Sequence, residues 1–311
     1  MKNNLNKQEK RKNEIIPLSI IIVNWNHKDL LKDCLDSIFK THKENQFEII
    51  VVDNHSADDS AAFIKEKYPE IVLIENHENL GFARANNQAI KIARGEYFLL
   101  LNNDTLIRNT HCFDRMLNYM EANREVGVLG CKLLYPDGTI QSEGESFPSV
   151  WKTFKTQILF VKTLQRITEG GLTNRTFKQV DYVCGACLMT RKTLFDEVGL
   201  LKEKYFMYGE DVEFCYRVKR TGNIIGVLVN ENIIHLHSKS TEKNLTEMLY
   251  HSINNDLKNI QILYNSQLKV ISVKILHLIG ILIRAFLAIF RKGKNPMDYL
   301  RLFFRLLERK K

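Results

Sequence analysis

Glycine-rich phosphate loops are absent from this sequence. No GxGxxG follows the first apolar run, and no GxxxxGK[ST] occurs in the 311 residues. Such loops supply the backbone N–H groups that hold phosphates in dehydrogenases and in P-loop nucleotide hydrolases. The sequence therefore lacks the central feature of both protein classes.

Cysteine and proline are also scarce. The six cysteines are scattered through apolar segments, which indicates free thiols and a reducing compartment. Cys184 and Cys187 form a CxxC, but no second Cys or His pair follows at zinc spacing, so we interpret it as packing. The first fourteen residues are polar and basic, so we expect no secretory signal and predict that residues 1–16 are disordered.

Positive charge is concentrated at the carboxyl-terminal end of the chain. The net charge is +9, and residues 258–311 contain twelve Lys and Arg against two Asp and Glu. The rest of the chain is therefore close to neutral. We predict a folded body at residues 17–257 and a basic attachment segment at residues 258–311.

Short apolar runs alternate with segments of helical spacing. The runs are residues 18–23, 47–52, 71–74 and 97–101. This alternation predicts an α/β fold with a mostly parallel sheet that is covered by helices on both faces. Such sheets bind ligands beyond the carboxyl ends of their strands, where Asn24, Asp53 and Asp104 fall. We therefore expect a nucleotide-sized site at this edge.

The side chains at this edge are acids and amides. An aspartate such as Asp53 can accept hydrogen bonds from a base or a ribose. Asp104 can hold a divalent ion, which would neutralise a diphosphate. The sequence thus offers both groups that a nucleoside diphosphate needs.

Glu210 and Asp211 form an adjacent acidic pair behind Gly209, where a helical pattern begins. The free N–H groups and the positive end of a helix favour ionised carboxylates. An ionised carboxylate aimed into a pocket can act as a general base. The alternative is an acidic turn that only stabilises its helix. With a metal and a diphosphate nearby, a base completes the parts required for inverting sugar transfer.

Six blocks of the sequence resemble the family 2 glycosyltransferases of GT-A fold, especially their rhamnosyltransferase-like branch. The blocks follow one another in the family's order over about residues 17–240. They read SIIIVNWN (19–26), VVDNHSAD (51–58), NLGFARANN (79–87), LLNND (100–104), YPDG (135–138) and GED (209–211).

The resemblance implies roles for individual residues. Asp53 would lie at the donor base, Asp104 would bind Mn²⁺ or Mg²⁺, and Asp211, beside Glu210, would be the general base. The other donor-binding positions that the resemblance implies are Asn24, Asn54, Asn79, Gly81, Arg84, Asn87 and Asn103. For Arg84 the alternative is an exposed position on a helix, and for Asn87 it is hydrogen bonding within the fold.

The metal site departs from the family pattern. Asn102 stands where many relatives have the first aspartate of a DxD motif, so we expect the metal to rely more on the donor diphosphate. The family often adds a histidine on a late strand, and His235 and His237 both fit, because residues two apart share a strand face. A buried structural histidine is the alternative for either residue.

Two further segments carry predictions. Residues 133–176 look irregular and long, which is typical of a functional loop or lid. Residues 270–290 are apolar over the length of a membrane span, but charges inside a span cost a few kcal/mol. We therefore predict an interfacial helix on an anionic membrane, with packing on the body or another subunit as the alternative. At 100° per residue one arc of about 100° holds the basic positions Lys274, His277, Arg284, Arg291 and Lys292.

These features predict a cytoplasmic protein, peripheral on the inner face of the plasma membrane. It would move rhamnose or another deoxyhexose from a nucleotide-diphosphate donor, dTDP-rhamnose being one candidate, to a lipid-linked saccharide. Nucleic acid is not expected, because the basic residues lie on an apolar helix without a stacking platform. Two rivals remain: a catalytically silent scaffold of a polysaccharide assembly complex, and a metal-dependent phosphotransferase that uses Asp104.

Overall fold

The computed structural model describes residues 16–42, 47–159, 176–236, 245–290 and 295–308. Strands form where the sequence has short runs of branched aliphatic residues, as their stiff side chains favour. The strands are β1 (Leu18–Asn24), β2 (Phe47–Asp53), β3 (Val72–Glu75), β4 (Tyr97–Asn102), β5 (Thr105–Leu106), β6 (Val126–Leu134), β7 (Ile140–Ser142), β8 (Phe177–Gln179), β9 (Cys187–Arg191) and β10 (Ile224–His235).

Helices fill most of the remaining chain. Three of them begin at a residue whose side chain accepts a hydrogen bond from the first turn, namely Ser149, Ser266 and Asn295. The helices are α1 (Lys28–Thr41), α2 (Ser60–Lys67), α3 (Phe82–Ile92), α4 (Cys112–Ala122), α5 (Val150–Gln157), α6 (Lys192–Val198), α7 (Glu210–Arg220), α8 (Leu245–Tyr264), α9 (Gln267–Ile289) and α10 (Pro296–Leu307).

One mixed sheet runs through the molecule. Its order is β3-β2-β1-β4-β9-β6-β10-β5, with β7 beside β6 and β8 beside β10. Strands β1 to β4 pair in parallel, as predicted. Strand β9 then runs antiparallel between β4 and β6, and β6 and β10 are again parallel. The first half of the sheet therefore places several strand ends at one edge.

The core lies on both faces of this sheet. Ile20 and Ile22 belong to one buried cluster and Ile21 to the other, as the alternation of side chains along a strand requires. Buried residues of α1 and α4 complete the first cluster, and those of α3 and α7 complete the second. Helices therefore cover both faces, as the sequence predicted.

Residues 133–176 are more ordered than we predicted. Strand β6 continues to Leu134, and β7 and α5 follow before residues 160–175, which lie outside the described part of the chain. Helix α5 packs against α9, and Arg284 donates a hydrogen bond to Gln157 Oε1 at 2.6 Å. The prediction of an irregular loop is therefore wrong for β7 and α5, because short elements that pack on a distant helix carry little periodic signal of their own.

The last three helices pack around a small core of their own. Tyr250 and Ile253 of α8 are buried against Ile281 of α9 and against Leu302 and Leu306 of α10. Our predicted boundary between residues 257 and 258 falls inside α8. Helix α8 contacts α7 of the body as well as α9 and α10.

Helix α9 turns its basic side toward the protein. His277 is 5% exposed, and the Arg284 guanidinium lies against Gln157 of α5. Lys274 is partly buried, and Arg291 and Lys292 lie outside the described residues. His277 and Arg284 are therefore not free to attract anionic lipid, and this side of α9 packs on the body.

The opposite side of α9 is apolar and exposed. Within the described residues α9 is the one helix long and apolar enough to cross a membrane, judged by length and composition. Since its other side packs on neighbouring helices, what remains is an exposed stripe. We call these residues the apolar stripe: Leu268, Ile271, Ile275, Ile279, Leu282, Phe286, Ile289 and Phe290.

Candidate active site

Polar residues at the ends of β1, β2 and β4 form one hydrogen-bonded cluster. Asn24 Nδ2 donates to Asp53 Oδ1 at 3.2 Å, and Asn103 Nδ2 donates to Asn24 Oδ1 at 2.6 Å. Asp53 Oδ2 accepts from the backbone N–H of Ser56 at 2.9 Å. Asn24 and Asp53 are register partners of two parallel strands, so the pairing itself brings them together. The Asp53 carboxylate is thus held in one orientation at the sheet edge.

The block around Gly81 braces a turn before α7. Asn54 Nδ2 donates to Gly81 O at 3.3 Å, and Asn79 Oδ1 accepts from Gly81 N at 2.9 Å. Gly81 has a φ of 79°, and a Cβ atom there would lie 2.4 Å from Phe206 O. Phe82 N donates to the same carbonyl at 2.8 Å. Glycine is therefore required because two backbone segments meet at this point.

Two residues predicted to bind donor are occupied elsewhere. The Asn87 side chain is 2% exposed, donates to Leu201 O at 2.9 Å and accepts from Leu201 N at 3.0 Å. Arg84 has a side chain that is 54% exposed and pairs with Glu203 at 3.3 Å. Of the alternatives left open by the sequence, the structure favours the fold-stabilising role for Asn87 and the exposed helical position for Arg84.

The antiparallel pairing of β5 with β10 brings Asp104 beside His235. Thr105 and His235 are register partners, and Leu236 N donates to Asp104 O at 2.9 Å. Asp104 Oδ1 consequently lies 3.2 Å from His235 Nε2. Both residues are buried. His237, the other predicted histidine, lies outside the described residues.

Neighbouring amides orient the His235 ring. Gln141 Oε1 lies 2.7 Å from Nδ1, and since an amide oxygen can only accept, Nδ1 carries the hydrogen. Nε2 faces Asp104 Oδ1 and Asn102 Nδ2, each at 3.2 Å. Gln141 was missed by sequence reasoning, because nothing but its nearness to the YPDG block pointed to it. An imidazole fixed in this way is typical of a metal ligand.

Asp104 and His235 fit a divalent ion as a partial ligand set. A carboxylate oxygen and an imidazole nitrogen are suitable ligands for a first-row divalent ion such as Mn²⁺. Among the described residues no group of three His, Cys, Asp or Glu could hold a metal. Two protein ligands leave room for diphosphate oxygens, which agrees with the expected dependence of metal binding on the donor.

Glu210 and Asp211 occupy the first turn of α7 but differ in environment. Glu210 is 5% exposed, and its Oε2 atom has no hydrogen-bond partner among the described residues. Burial, together with the neighbouring Asp211 carboxylate, raises the pKa of Glu210 to about 8. Glu210 is therefore mostly neutral at pH 7, and it is a poor base there.

Asp211 is the more accessible member of the acidic pair. Its Oδ2 accepts from Gly185 N at 3.1 Å and its Oδ1 accepts from Val212 N at 2.8 Å. Burial raises the pKa of Asp211, and these backbone N–H groups oppose that rise. Gly185 was another contact that sequence reasoning missed, since it lies inside the CxxC that we interpreted as packing. Asp211 is the better candidate for a general base.

Hydrogen bonds link the turn before α7 with the strand ends. Phe82 N donates to Phe206 O, and Asn54 Nδ2, next to Asp53, donates to Gly81 O. Burial and then the charges of Glu210 and Asp104 raise the pKa of the Tyr208 hydroxyl. Trp25, Phe206 and Met207 are exposed apolar side chains. The cluster at the strand ends and the acidic helix start therefore belong to one candidate site.

An α/β protein with its acidic groups gathered at the strand ends belongs to the class that binds nucleotide-like ligands at that edge. The family model described as Glycosyl transferase family 2 matches residues 19–199. This match covers more than half of the chain, and the chain belongs to that family. The family predicted from the sequence blocks is confirmed.

Two curated relatives illustrate the range of the family. The chain is 29% identical over 232 residues to the O-antigen biosynthesis protein RfbC of Myxococcus xanthus, covering 72% of this chain and 17% of that protein. It is 23% identical over 213 residues to the N-acetylglucosaminyl-diphospho-decaprenol L-rhamnosyltransferase of Mycobacterium tuberculosis, covering 64% of this chain and 69% of that protein. The chain therefore spans a small part of the first relative and about two thirds of the second.

A solved structure shows the same fold. The mannosyltransferase PcManGT from Pyrobaculum calidifontis, in complex with GDP-Man and Mn²⁺, matches with a TM-score of 0.60 at 14% identity. The match covers 95% of this chain and 81% of that one. The predicted GT-A fold is thereby confirmed.

Proposed function

We propose that this protein is an inverting glycosyltransferase that moves a sugar from a nucleoside-diphosphate donor to an acceptor hydroxyl. The observation that carries the proposal is that Asp53 and Asp211 each accept a hydrogen bond from a backbone N–H group, while Asp104 lies 3.2 Å from His235. In this proposal Asp53 binds the base or ribose, and Asp211 acts as the base. Family membership supports the reaction class.

In the proposed mechanism Asp211 takes the proton of the acceptor hydroxyl as that oxygen attacks C1 of the sugar. The bond between C1 and the diphosphate oxygen breaks, and the configuration at C1 inverts. Glu210 stays protonated, which keeps a second negative charge away from Asp211. A divalent ion, Mn²⁺ or Mg²⁺, held by Asp104 and His235 would neutralise the leaving diphosphate.

The donor sugar we propose is rhamnose or another deoxyhexose, with dTDP-rhamnose as the first donor to test. The mycobacterial relative supports this choice, because its name gives an L-rhamnosyltransferase that acts on a diphospho-decaprenol saccharide. A lipid-linked saccharide is accordingly the proposed acceptor. The exposed faces of Trp25, Phe206 and Tyr208 offer apolar surface on which sugar rings can stack.

A melting screen followed by a turnover assay tests the proposal. A dTDP-, UDP- or GDP-sugar at a hundredfold excess over its Kd should add about 2.7 kcal/mol to the free energy of unfolding and raise Tm. The best donor should then release nucleoside diphosphate in a manner that depends on a saccharide acceptor. Donor binding without release would favour the scaffold, and inorganic phosphate without a glycoside would favour the phosphotransferase.

We also propose that the protein works at the cytoplasmic face of the membrane, with the apolar stripe of α9 in contact with lipid. After Lys269 every exposed residue of α9 is apolar. A helix of 23 residues is about 35 Å long, so the stripe forms an extended surface. Exposed Met297, Phe304 and Leu307 of α10 add to the apolar surface of the helical segment. Surfaces of this size mark interaction sites.

Charge favours lipid over a second copy of the chain as the partner of the stripe. The segment that carries the stripe has twelve Lys and Arg against two Asp and Glu. Two copies docked through it would bring like charges together, whereas anionic lipid is complementary. Because His277 and Arg284 face inward, we expect the apolar side chains to supply most of the binding.

A triple substitution on the stripe tests this location. Ile275→Ser, Ile279→Ser and Phe286→Ser together should weaken binding to phosphatidylglycerol vesicles by at least about 100-fold. Full burial of each such side chain is worth roughly 1.5–3 kcal/mol, and even partial insertion reaches this loss. Ile92→Ser, an exposed apolar residue on α3, is the matched control and should bind normally. Vesicle cosedimentation measures both proteins.

Three results would count against lipid contact. If the triple variant bound as well as the wild type and high salt abolished that binding, charge would be the cause of attachment. A wild-type dimer that becomes a monomer in the triple variant would make the stripe an interface between copies. Loss of turnover on a soluble acceptor would show that these side chains support the fold.

A further inference from the structure

The segment that leads into α7 has an unusual backbone. We call residues 205–209 the catalytic turn, because Glu210 and Asp211 follow it directly. Tyr208 and Gly209 have φ values of 67° and 97°, in the left-handed region that is unfavourable for a residue with a side chain such as Tyr208. Such a conformation persists only where the surroundings impose it.

Side-chain burial does not impose it on the middle of the turn. Phe206, Met207 and Tyr208 are three consecutive large side chains, and they are 47%, 37% and 39% exposed. The constraint must therefore come from contacts to the backbone and from the buried ends of the turn. One such contact is the hydrogen bond from Phe82 N to Phe206 O described above.

Helix α8 supplies the other contacts through two buried asparagines. Asn255 Nδ2 donates to Met207 O at 2.6 Å, and the Tyr205 hydroxyl donates to Asn259 Oδ1 at 2.6 Å. Asn255 and Asn259 are 5% and 2% exposed and stand one helical turn apart, on one face of α8. Buried amides are costly unless they are bonded, so a helix that needed only to pack would have apolar residues here.

The same asparagines also surround Gly209. A Cβ atom on Gly209 would lie 2.8 Å from Asn259 Nδ2 and 3.2 Å from Asn255 Cβ. Gly209 O accepts the first hydrogen bond of α7, from Glu213 N at 3.0 Å. Fixing Gly209 therefore fixes the start of α7, where Asp211 is the second residue.

We propose that Asn255 and Asn259 are positioning residues that set the orientation of Asp211 through the catalytic turn. The C-terminal helices are then part of the catalytic unit, since α8 contacts this turn and shares its small core with α9 and α10. The helix that holds the base is thereby linked to the helices that carry the apolar stripe. This inference rests on the proposed role of Asp211 as the base.

Asn255→Ala tests the proposal, with Asn254→Ala as the matched control. Asn254 is the adjacent asparagine of α8, and its amide donates to Tyr250 O within the same helix. With the nucleotide sugar that gives the wild type its largest melting shift, Asn255→Ala should lower kcat about 10- to 100-fold, since a displacement near 1 Å can cost this much. The Kd for dTDP with Mn²⁺ should stay within about twofold, because Asp53 is held by Asn24 and Ser56 and neither lies on α8.

A second measurement separates this proposal from the proposed function. Hydrogen exchange at the backbone amides of residues 206–213 should quicken in Asn255→Ala and not in Asn254→Ala, whether or not sugar transfer is observed. Tyr205→Phe removes one hydroxyl without changing volume and should act in the same direction if Asn255→Ala does not fold. The proposal would be overturned if exchange were unchanged in both Asn255→Ala and Tyr205→Phe. It would also be overturned if the Asn254→Ala control lost as much kcat as Asn255→Ala.

Discussion

Replacing Asp211 with Asn should lower kcat by about 10²–10⁴-fold, the usual cost of removing a general base. The side chain keeps its size, and its oxygen can still accept from Gly185 N or from Val212 N. One of these two bonds is lost, because the amide has a single acceptor oxygen. We therefore expect a folded protein that binds donor normally and fails in transfer, measured by acceptor-dependent release of nucleoside diphosphate.

Glu210→Gln is the matched control for Asp211→Asn. Because the pKa of Glu210 is raised to about 8, its carboxyl group is already mostly neutral at pH 7, and an amide should preserve turnover within about tenfold. In the wild type this group favours folding below pH 4.5 and loses that contribution as the pH rises toward 8. The Tm advantage of Glu210→Gln should therefore grow over the same interval. If Asp211→Asn transferred sugar at a near-normal rate, or if Glu210→Gln lost transfer, the general base would be Glu210.

Replacing Asp104 with Ala should weaken nucleoside-diphosphate binding by at least about tenfold when Mn²⁺ is present, and EDTA should do the same to the wild type. Asp104 Oδ1 lies 3.2 Å from His235 Nε2, so the substitution removes one of the two side chains proposed to hold the ion. The His235 ring retains its contacts with Gln141 and Asn102, which should preserve the local fold. Titration calorimetry with and without chelator measures the effect.

Asp53→Ala provides the contrast for Asp104→Ala. Its proposed partner is the base or ribose, so this substitution should weaken binding equally in metal and in chelator. A wild-type affinity that is indifferent to EDTA would show that Asp104 and His235 do not hold a metal. An Asp104→Ala loss that persists unchanged in EDTA would assign Asp104 to direct contact with the donor.

The sequence alone predicted the edge at which the candidate site lies. Asn24 and Asp53 end neighbouring parallel strands, and strand pairing brings such residues together whatever surrounds them. The sequence also predicted that Glu210 and Asp211 begin a helix, because Gly209 and the helical pattern after it are local features. Local patterns of this kind are decided by neighbours within a few residues, so they can be read from one chain.

Contacts between distant segments could not be predicted in this way. His235 reaches Asp104 through the pairing of β5 with β10, across more than a hundred residues of chain. Gln141 joins them from a short strand at the side of β6. Asn255 reaches Met207 across 48 residues. Only the resemblance to the family had linked His235 with Asp104, and neither Gln141 nor Asn255 carries a motif that names its partner.

Helix α9 shows both sides of this division. Helical geometry placed its basic residues on one arc and its apolar residues on another, and both arcs exist. The direction in which each arc points was decided by the tertiary structure, because α5 and α8 offer polar partners to Arg284 and His277 and leave the apolar stripe uncovered. Periodicity determines which residues share a face, whereas the surface that this face meets depends on parts of the chain far away in sequence.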